Sequence, residues 1–192
     1  MKIIAGPCQH ETLEQSLEIA TECKRVCDTN SMDYYFKASF DKANRTSISG
    51  QRGQGLQKTM QDFRELKQKI STSIAGGEAE FTKYGWNKLI SNKCIDIAQP
   101  EVCGLGGITE YLKVAALAQS NFIPVINHVW GSAVSIAVNL HLLTAQPDMP
   151  GGLFPSKSML EFDTTEKNIF ITDLPKEEFS ILDQVKNNKL IR

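Results

Sequence analysis

The chain has 192 residues and a mass of 21.4 kDa, which is enough for one domain or two very small ones. Hydrophobic residues make up 41% and charged residues 22% of it, which excludes a disordered or low-complexity polymer because such chains lack the side chains for a core. The formal net charge is −1 and no basic tract stands out, so we expect neither nucleic acid nor a membrane surface as a partner.

No segment has the character of a membrane span or a signal peptide. The most apolar stretch, residues 133–143, is interrupted by Ser135, Asn139 and His141 and is too short to cross a bilayer. The N-terminal residues contain no long apolar region. The 5 cysteines are odd in number and scattered along the chain, which indicates a reduced, cytoplasmic protein rather than a disulfide scaffold.

Short apolar runs alternate with amphipathic helical stretches as far as Thr164, after which the pattern fades. In chain order we predict a strand at 2–5, a helix at 12–27, a strand at 34–40, a polar Gly-rich loop at 41–55, a helix at 56–70, a strand at 73–76, a helix at 82–91, a strand at 94–98, a helix at 109–119, a strand at 123–126, a helix at 132–144 and a strand at 158–162. Such alternation with short connections favours parallel βαβ units, either in an open doubly wound sheet or in a (β/α) barrel.

Polar residues follow most of the predicted strands directly. In both candidate folds the chemistry gathers at the carboxyl ends of the strands. The residues at those ends are Cys8, Lys37 with Lys42, Glu78, Glu101, His128 and Glu161. This set alone supplies the groups for a metal site or an acid/base site.

Three stretches of the first segment resemble 3-deoxy-D-manno-octulosonate-8-phosphate synthase. They are residues 5–8 (Ala-Gly-Pro-Cys), 36–45 (Phe-Lys-Ala-Ser-Phe-Asp-Lys-Ala-Asn-Arg) and 52–56 (Arg-Gly-Gln-Gly-Leu). That enzyme is a (β/α) barrel that joins phosphoenolpyruvate to arabinose 5-phosphate. The resemblance therefore implies a barrel fold and a sugar-phosphate substrate for this part of the chain.

The synthase resemblance also implies roles for individual residues. Lys37 and Lys42 would meet the phosphoenolpyruvate end of the site, and Asn44 and Arg45 would meet the sugar phosphate. Cys8 would be the thiolate ligand of a divalent metal, as in the metal-dependent members. The residue types suit these roles, because lysine offers phosphate and carboxylate a compact charge and arginine binds phosphate through a fork.

Five stretches of the second segment resemble the C-terminal barrel of the mandelate racemase/muconate lactonizing group of the enolase superfamily. Their order and spacing match the last four strands of that barrel. They are residues 75–78 (Ala-Gly-Gly-Glu), 96–101 (Asp-Ile-Ala-Gln-Pro-Glu), 106–110 (Gly-Gly-Ile-Thr-Glu), 127–131 (Asn-His-Val-Trp-Gly) and 160–163 (Leu-Glu-Phe-Asp). Enzymes of this group bind Mg²⁺, abstract a proton alpha to a carboxylate and stabilise the resulting enediolate on the metal.

The enolase resemblance assigns four further roles. Glu78 would be a ligand of Mg²⁺, His128 the general base, and Glu161 the donor of a proton or hydrogen bond to the enediolate. Glu101 would orient His128, although this position is usually Asp, so the imidazole would sit differently here. Three further features of the group have no counterpart in this sequence: its remaining metal ligands, a pair of lysines on the second strand of its barrel, and its capping domain. Lys37 would lie near the place of that missing lysine pair.

Together the two resemblances predict an α/β fold, a partial (β/α) TIM-type barrel of about six βα units assembled from two barrel families. The expected division is a synthase-like segment at 1–70, an enolase-like half-barrel at 71–163 and a tail at 164–192. The junction lies between residues 55 and 73, where a helix precedes a strand in both parents.

Each candidate residue also has an ordinary structural interpretation. A lone cysteine such as Cys8 is more often inert than a ligand. Lys37 and Lys42 have the alternative of solvated surface charges, and Glu78 that of an exposed loop carboxylate. His128 has the alternative of a structural histidine that is hydrogen-bonded in the barrel mouth.

Three hypotheses for function follow from these residues. The first is a Mg²⁺-dependent lyase (dehydratase) or racemase acting on an acid sugar or hydroxy acid, incomplete in this chain. The second is the octulosonate-phosphate synthase, with another divalent metal at Cys8. The third is a catalytically inactive fusion or fragment that self-associates, because open parallel edges favour a dimer that completes a barrel. The expected partner is a small carboxylate or a sugar phosphate.

Overall fold

The computed structural model describes residues 1–42, 48–146 and 159–162. Strands and helices alternate within these ranges. In chain order they are β1 (Lys2–Ala5), α1 (Leu13–Thr29), β2 (Asp33–Lys37), α2 (Leu56–Lys69), β3 (Ser73–Gly76), α3 (Thr82–Ser91), β4 (Ile97–Ala98), α4 (Val102–Leu105), α5 (Gly107–Ser120), β5 (Ile126–Val129), α6 (Ala133–Ala145) and β6 (Met159–Phe162). No helix in these ranges has the length and apolarity needed to cross a membrane.

All the strand pairings are parallel. β1, β2, β3 and β4 lie side by side in chain order, and β5 pairs with β6. A parallel bridge between Ala98 and Val125 joins the two sheets. Within the described ranges β1 and β6 form no ladder with each other, so the six strands make a partial (β/α) barrel. The predicted α/β fold class and the expected number of units are therefore confirmed.

Every strand contributes one apolar side chain to a small inner core. This inner core is formed by Ile4, Tyr35, Ala75, Ile97, Ile126 and Met159. Side chains two residues apart on a strand point to the same side of the sheet. The next inward position after the inner core therefore carries Lys37, Gln99, His128 and Glu161, and the inner core forms the floor beneath them.

A larger core lies between the sheet and the helices. Phe36, Leu66, Trp86 and Tyr111 are fully buried in it. Helix α2 shows the pattern that produces such packing, because its buried residues recur at intervals of three or four and face the sheet. Burying each of these large side chains stabilises the fold by roughly 2–3 kcal/mol.

Several elements have the predicted bounds and others differ. The strands at 2–5 and 73–76 and the helix at 82–91 agree with the prediction residue for residue. β4 begins only at Ile97; just before it the Asp96 carboxylate accepts the Ile74 N–H at 2.9 Å, and the Asp96 N–H donates to the Ile74 carbonyl oxygen at 2.8 Å. The short helix α4 was not expected from the sequence.

The largest difference concerns β5, which begins three residues later than the predicted 123–126. Pro124 has no N–H for a ladder, and its carbonyl oxygen accepts the Ala98 N–H at 2.9 Å. The ladder with β6 starts at Ile126. As a result His128 lies inside the strand, with its side chain over the inner core, rather than on the loop that follows.

Candidate functional site

A cavity of about 220 Å³ opens where β1, β2, β3 and β5 end. Its polar lining comes from the loop after β1, from β2 and the residues after it, from the turn after β3 and from β5. The lining residues are Ile4, Ala5, Gly6, Pro7, Cys8, Lys37, Ala38, Lys42, Glu78 and His128. Both resembling segments thus contribute side chains to one cavity, as the carboxyl-end rule for parallel barrels predicts.

Glu78 is held between two lysines. The Lys42 ammonium contacts Glu78 Oε1, and Lys37 Nζ lies 3.0 Å from Glu78 Oε2. The Glu78 side chain is only 12% exposed. Burial acts to raise the pKa of this carboxyl, but the charges and hydrogen bonds of Lys37, Lys42 and His128 outweigh it and lower that pKa to about 2. Glu78 is therefore ionised throughout the physiological range.

Glu161 shares its lysine with Glu78. Lys37 Nζ donates to both Glu161 oxygens, at 2.6 and 2.8 Å. The buried Gln99 side chain donates from Nε2 to Glu161 Oε2 at 2.6 Å. Glu161 is thus an acceptor in this structure, whereas the enolase resemblance implies a donor. Sequence reasoning missed Gln99, although its position two residues after Ile97 of the inner core places it in the same inward layer.

The His128 side chain lines the cavity. Its Nε2 lies 3.5 Å from Glu78 Oε2, and its buried Nδ1 has no hydrogen-bond partner in the described part of the chain. Burial lowers the pKa of the imidazole and the charge of Lys37 lowers it further, against Glu78, Glu161 and Glu101, which raise it. Because the net shift is below the ordinary value of 6.5, His128 is uncharged at neutral pH.

Glu101 does not pair with His128. Its oxygens accept the backbone N–H groups of Cys103 and Gly104, at 3.1 and 2.5 Å, and so cap the N-terminus of α4. A carboxylate at a helix N-terminus is favoured by the unpaired N–H groups there. Glu101 therefore acts on His128 only through its charge, and the expected orienting contact is absent from the described residues.

Cys8 and Lys42 lie together at one side of the cavity. The Cys8 thiol is exposed. Burial acts to lower the pKa of the Lys42 ammonium, but Glu78 and Cys8 raise it above its ordinary value. The other two residues that the synthase resemblance assigns to substrate binding, Asn44 and Arg45, lie outside the described residues.

The described donor set does not fit a resident Mg²⁺. Mg²⁺ requires near-octahedral oxygen coordination. Both Glu78 oxygens already contact lysine ammonium groups, and the described ranges contain no cluster of three or more His, Cys, Asp or Glu side chains suited to a metal. The ligand roles expected for Glu78 and Cys8 therefore do not come together into a metal site here.

Comparison with known proteins gives two different curated relatives. The chain is 38% identical over 92 residues to D-galactarolactone cycloisomerase of Agrobacterium fabrum, covering 48% of this chain and 24% of the relative. It is 48% identical over 72 residues to 2-dehydro-3-deoxyphosphooctonate aldolase of Brucella anthropi, a name also used for the octulosonate-phosphate synthase, covering 38% of this chain and 26% of the relative. The chain thus matches about a quarter of the length of each relative.

Among solved structures, the 3,6-anhydro-D-galactonate cycloisomerase from Zobellia galactanivorans superposes with a TM-score of 0.58 at 22% identity, over 88% of this chain and 47% of that one. This similarity shows the fold. The family model described as enolase C-terminal domain-like matches residues 56–174, from the start of α2 through β6. Because this match covers more than half of the sequence, the chain belongs to the enolase C-terminal domain-like family.

Proposed function

We propose that the cavity carries out proton transfer at the carbon alpha to a carboxylate of an acid sugar or hydroxy acid, the first step of an enolase-type lyase or racemase. The observation that carries the proposal is His128, whose Nε2 faces the cavity and whose imidazole is held neutral. A neutral imidazole at the mouth of a barrel is a suitable general base. Family membership supports the same class of reaction.

The neighbouring groups suit the charge that such a step develops. Removing the alpha proton moves negative charge onto the carboxylate oxygens of the substrate. Lys42 lines the cavity and has ammonium donors beyond its bond to Glu78, so it is the group we assign to the substrate carboxylate. Glu161, which accepts a hydrogen bond from Gln99, holds Lys37 in place against Glu78, and fixed charges of this kind cost no reorganisation during the reaction.

Exchange of the alpha proton with solvent deuterium, followed by proton NMR on a panel of acid sugars and hydroxy acids, tests this proposal. We expect exchange with the wild type and a loss of at least about 100-fold in His128→Asn, because general bases contribute about that much or more. The matched control is His141→Asn, since His141 is exposed on α6 outside the cavity lining. Equal exchange rates in His128→Asn and the wild type would contradict the proposal.

The exchange rate is also expected to depend on pH in a defined direction. The pKa of His128 is lowered from 6.5, so the base stays neutral at pH 7 and becomes protonated only on further acidification. We expect the rate to be level near neutrality and to fall as the pH drops below 6.5. A rate that falls instead as the pH rises through neutrality would assign the base to another group.

A second candidate is synthesis of an octulosonate phosphate. It is favoured by the synthase-like residues Cys8, Lys37 and Lys42, which line the same cavity, and by the 48% identity to the Brucella relative. Phosphate release from phosphoenolpyruvate, measured with and without arabinose 5-phosphate, tests it. Release that requires both substrates and is lost in Lys37→Ala supports this function.

The two candidate functions correspond to two different parts of the chain. We propose that the chain joins a synthase-like segment, residues 1–70, to an enolase-like half-barrel, residues 71–163, followed by a tail. Two relatives with different names, each matched over less than half of this chain, support a division into two parts. The family match begins at residue 56, inside the first segment, so it supports the enolase-like part and not a boundary at residue 70. The third hypothesis, an inactive fusion, is the conclusion if neither proton exchange nor phosphate release is detected.

A further inference from the structure

The cation sites of both cavity carboxylates are filled by side chains of this protein. Each oxygen of Glu78 contacts a different ammonium, Oε1 that of Lys42 and Oε2 that of Lys37. Both oxygens of Glu161 contact Lys37. A divalent ion bound between these carboxylates would have to approach the same oxygens.

Lys37 bridges the two carboxylates through one nitrogen. Its Nζ lies 3.0 Å from Glu78 Oε2 and 2.6 Å from Glu161 Oε1. An ammonium has three N–H donors, and three carboxylate oxygens surround this one. Lys37 thus occupies the position between two carboxylates that a bridging cation takes.

The charges of the cluster balance without any added ion. Two ammonium groups, those of Lys37 and Lys42, face two carboxylates, those of Glu78 and Glu161. The side chains of Lys37, Lys42 and Glu78 are each between 12% and 16% exposed. Because desolvated charges are stable only when paired, a divalent ion could reach Glu78 only by displacing Lys37 or Lys42, and Lys42 has no other carboxylate partner among the described residues.

The origin of the two lysines explains the arrangement. Lys37 ends β2, which lies directly beside β3, and Lys42 follows on the next loop. β2 therefore delivers an ammonium to the Glu78 carboxylate, which follows the end of the neighbouring strand.

We infer that Lys37 and Lys42 replace the divalent cation of this site, so that the cavity binds a small carboxylate through ammonium groups and without a metal ion. The inference rests on the proposed function for the identity of the ligand. The replacement of the cation is a separate statement, and it is tested without any substrate.

Binding of Mn²⁺ to the intact chain, followed by the electron paramagnetic resonance signal of the free ion, tests the replacement. We expect no saturable binding to the wild type. Lys42→Met frees Glu78 Oε1 and is expected to bind Mn²⁺ saturably, at concentrations at least about tenfold below any at which the wild type takes up the ion, because it removes one positive charge within contact distance of the ion. That gain should disappear in Lys42→Met combined with Glu78→Gln.

Lys83→Met is the matched control, since Lys83 pairs with Glu110 away from the cavity. It should bind no more Mn²⁺ than the wild type.

Saturable binding to the wild type that is lost in Glu78→Gln would overturn the inference, because the site would then accept a metal beside its lysines. Equally weak binding in the wild type and in Lys42→Met would also overturn it, because the lysines would then not be what fills the site. Neither measurement of Mn²⁺ binding depends on proton exchange, so a failure of the proposed function can be distinguished from a failure of this inference.

Discussion

Glu78 is the residue on which the cavity's electrostatics depend most. It lies in the turn after β3, is almost fully buried, and contacts two lysines and a histidine. Removing the charge of one partner in such a cluster leaves the others unpaired in a poorly solvated place. The ionisation of Glu78 is therefore linked to the stability of the whole fold.

We predict that acid weakens this contribution. Glu78 has a pKa of about 2 in the fold against 4.5 for the free side chain, a difference on the order of 3 kcal/mol. Because the folded pKa is the lower one, the stabilisation is complete above pH 4.5 and is lost as the pH falls towards 2. The free energy of unfolding, measured by urea titration at several pH values, should fall less steeply over this range in Glu78→Gln.

The control for this measurement is Glu65→Gln, which removes an exposed carboxylate from a helical pair with Lys69. Its pH dependence should match that of the wild type, since exposed pairs contribute little. If Glu78→Gln and the wild type lose stability in parallel on acidification, the ion pairs of Glu78 do not stabilise the fold.

Single residues also show what the sequence could not reveal. His128, Lys37, Glu78 and Glu161 were predicted at one end of the barrel, and the structure brings their side chains together. Glu101 was predicted beside His128 but caps α4. The Glu101 carboxylate can accept a hydrogen bond either from His128 or from the nearby backbone N–H groups of α4, and the backbone groups prevail. A motif match does not show which of these donors the carboxylate contacts.

At the level of elements, the turn from β3 to α3 is tightly constrained at Gly77. Gly77 has φ +108°, and a Cβ at this position would overlap the fully buried ring of Trp86. A residue with a side chain would meet both the backbone penalty of positive φ and a steric clash. The absence of a side chain at Gly77 thus lets Trp86 pack against the backbone directly before Glu78.

Gly77→Ala is accordingly expected to destabilise the fold by roughly 3 kcal/mol or more, the sum of backbone strain and overpacking. Gly107→Ala is the matched control, because Gly107 also has positive φ, +81°, but has nothing within 4 Å of an added Cβ. It should cost only about 1 kcal/mol. Chemical denaturation of both variants checks the difference, and equal losses would mean that the Trp86 contact contributes nothing.

The order of the elements was predictable from hydrophobic periodicity, but some of their ends were not. The helices at 56–70 and 82–91 were predicted to within a residue because their apolar faces repeat over several turns. The ends of β4 and β5 depend on Asp96 and Pro124, whose partners lie on neighbouring strands. Periodicity along one strand does not contain those contacts.

Over the whole molecule, one core joins residues 1–70 to residues 71–146. Phe36 and Phe63 pack edge to face with ring centroids 6.2 Å apart, and they share a continuous buried cluster with Trp86 and Tyr111. Such a cluster has no internal boundary at which one part unfolds alone. We therefore expect residues 1–42 and 48–146 to unfold as a single cooperative unit.

A variant in one segment and a reporter in the other test this cooperativity. Phe36→Ala should lower stability by about 3–5 kcal/mol and shift the melting transition seen by near-ultraviolet circular dichroism of Trp86. The experiment uses a Trp130→Phe background, because Trp130 is 59% exposed and would add a second signal. Tyr84→Ala, which alters a side chain that is 70% exposed, is the control. An unchanged Trp86 transition in Phe36→Ala would mean that the segments fold separately.

The two-residue step from the inner core to the polar layer has a consequence for how such barrels diversify. Tyr35 and Lys37 on one strand stand in the same relation as Ile126 and His128 on another, because side chains two residues apart on a strand point to the same side of the sheet. A strand from any parallel barrel that places an apolar residue in the inner core brings its next inward side chain to the same polar layer. Neighbouring strands then need no common ancestor to form a shared site. Exchange of βα units between unrelated barrels can therefore create new combinations of catalytic groups.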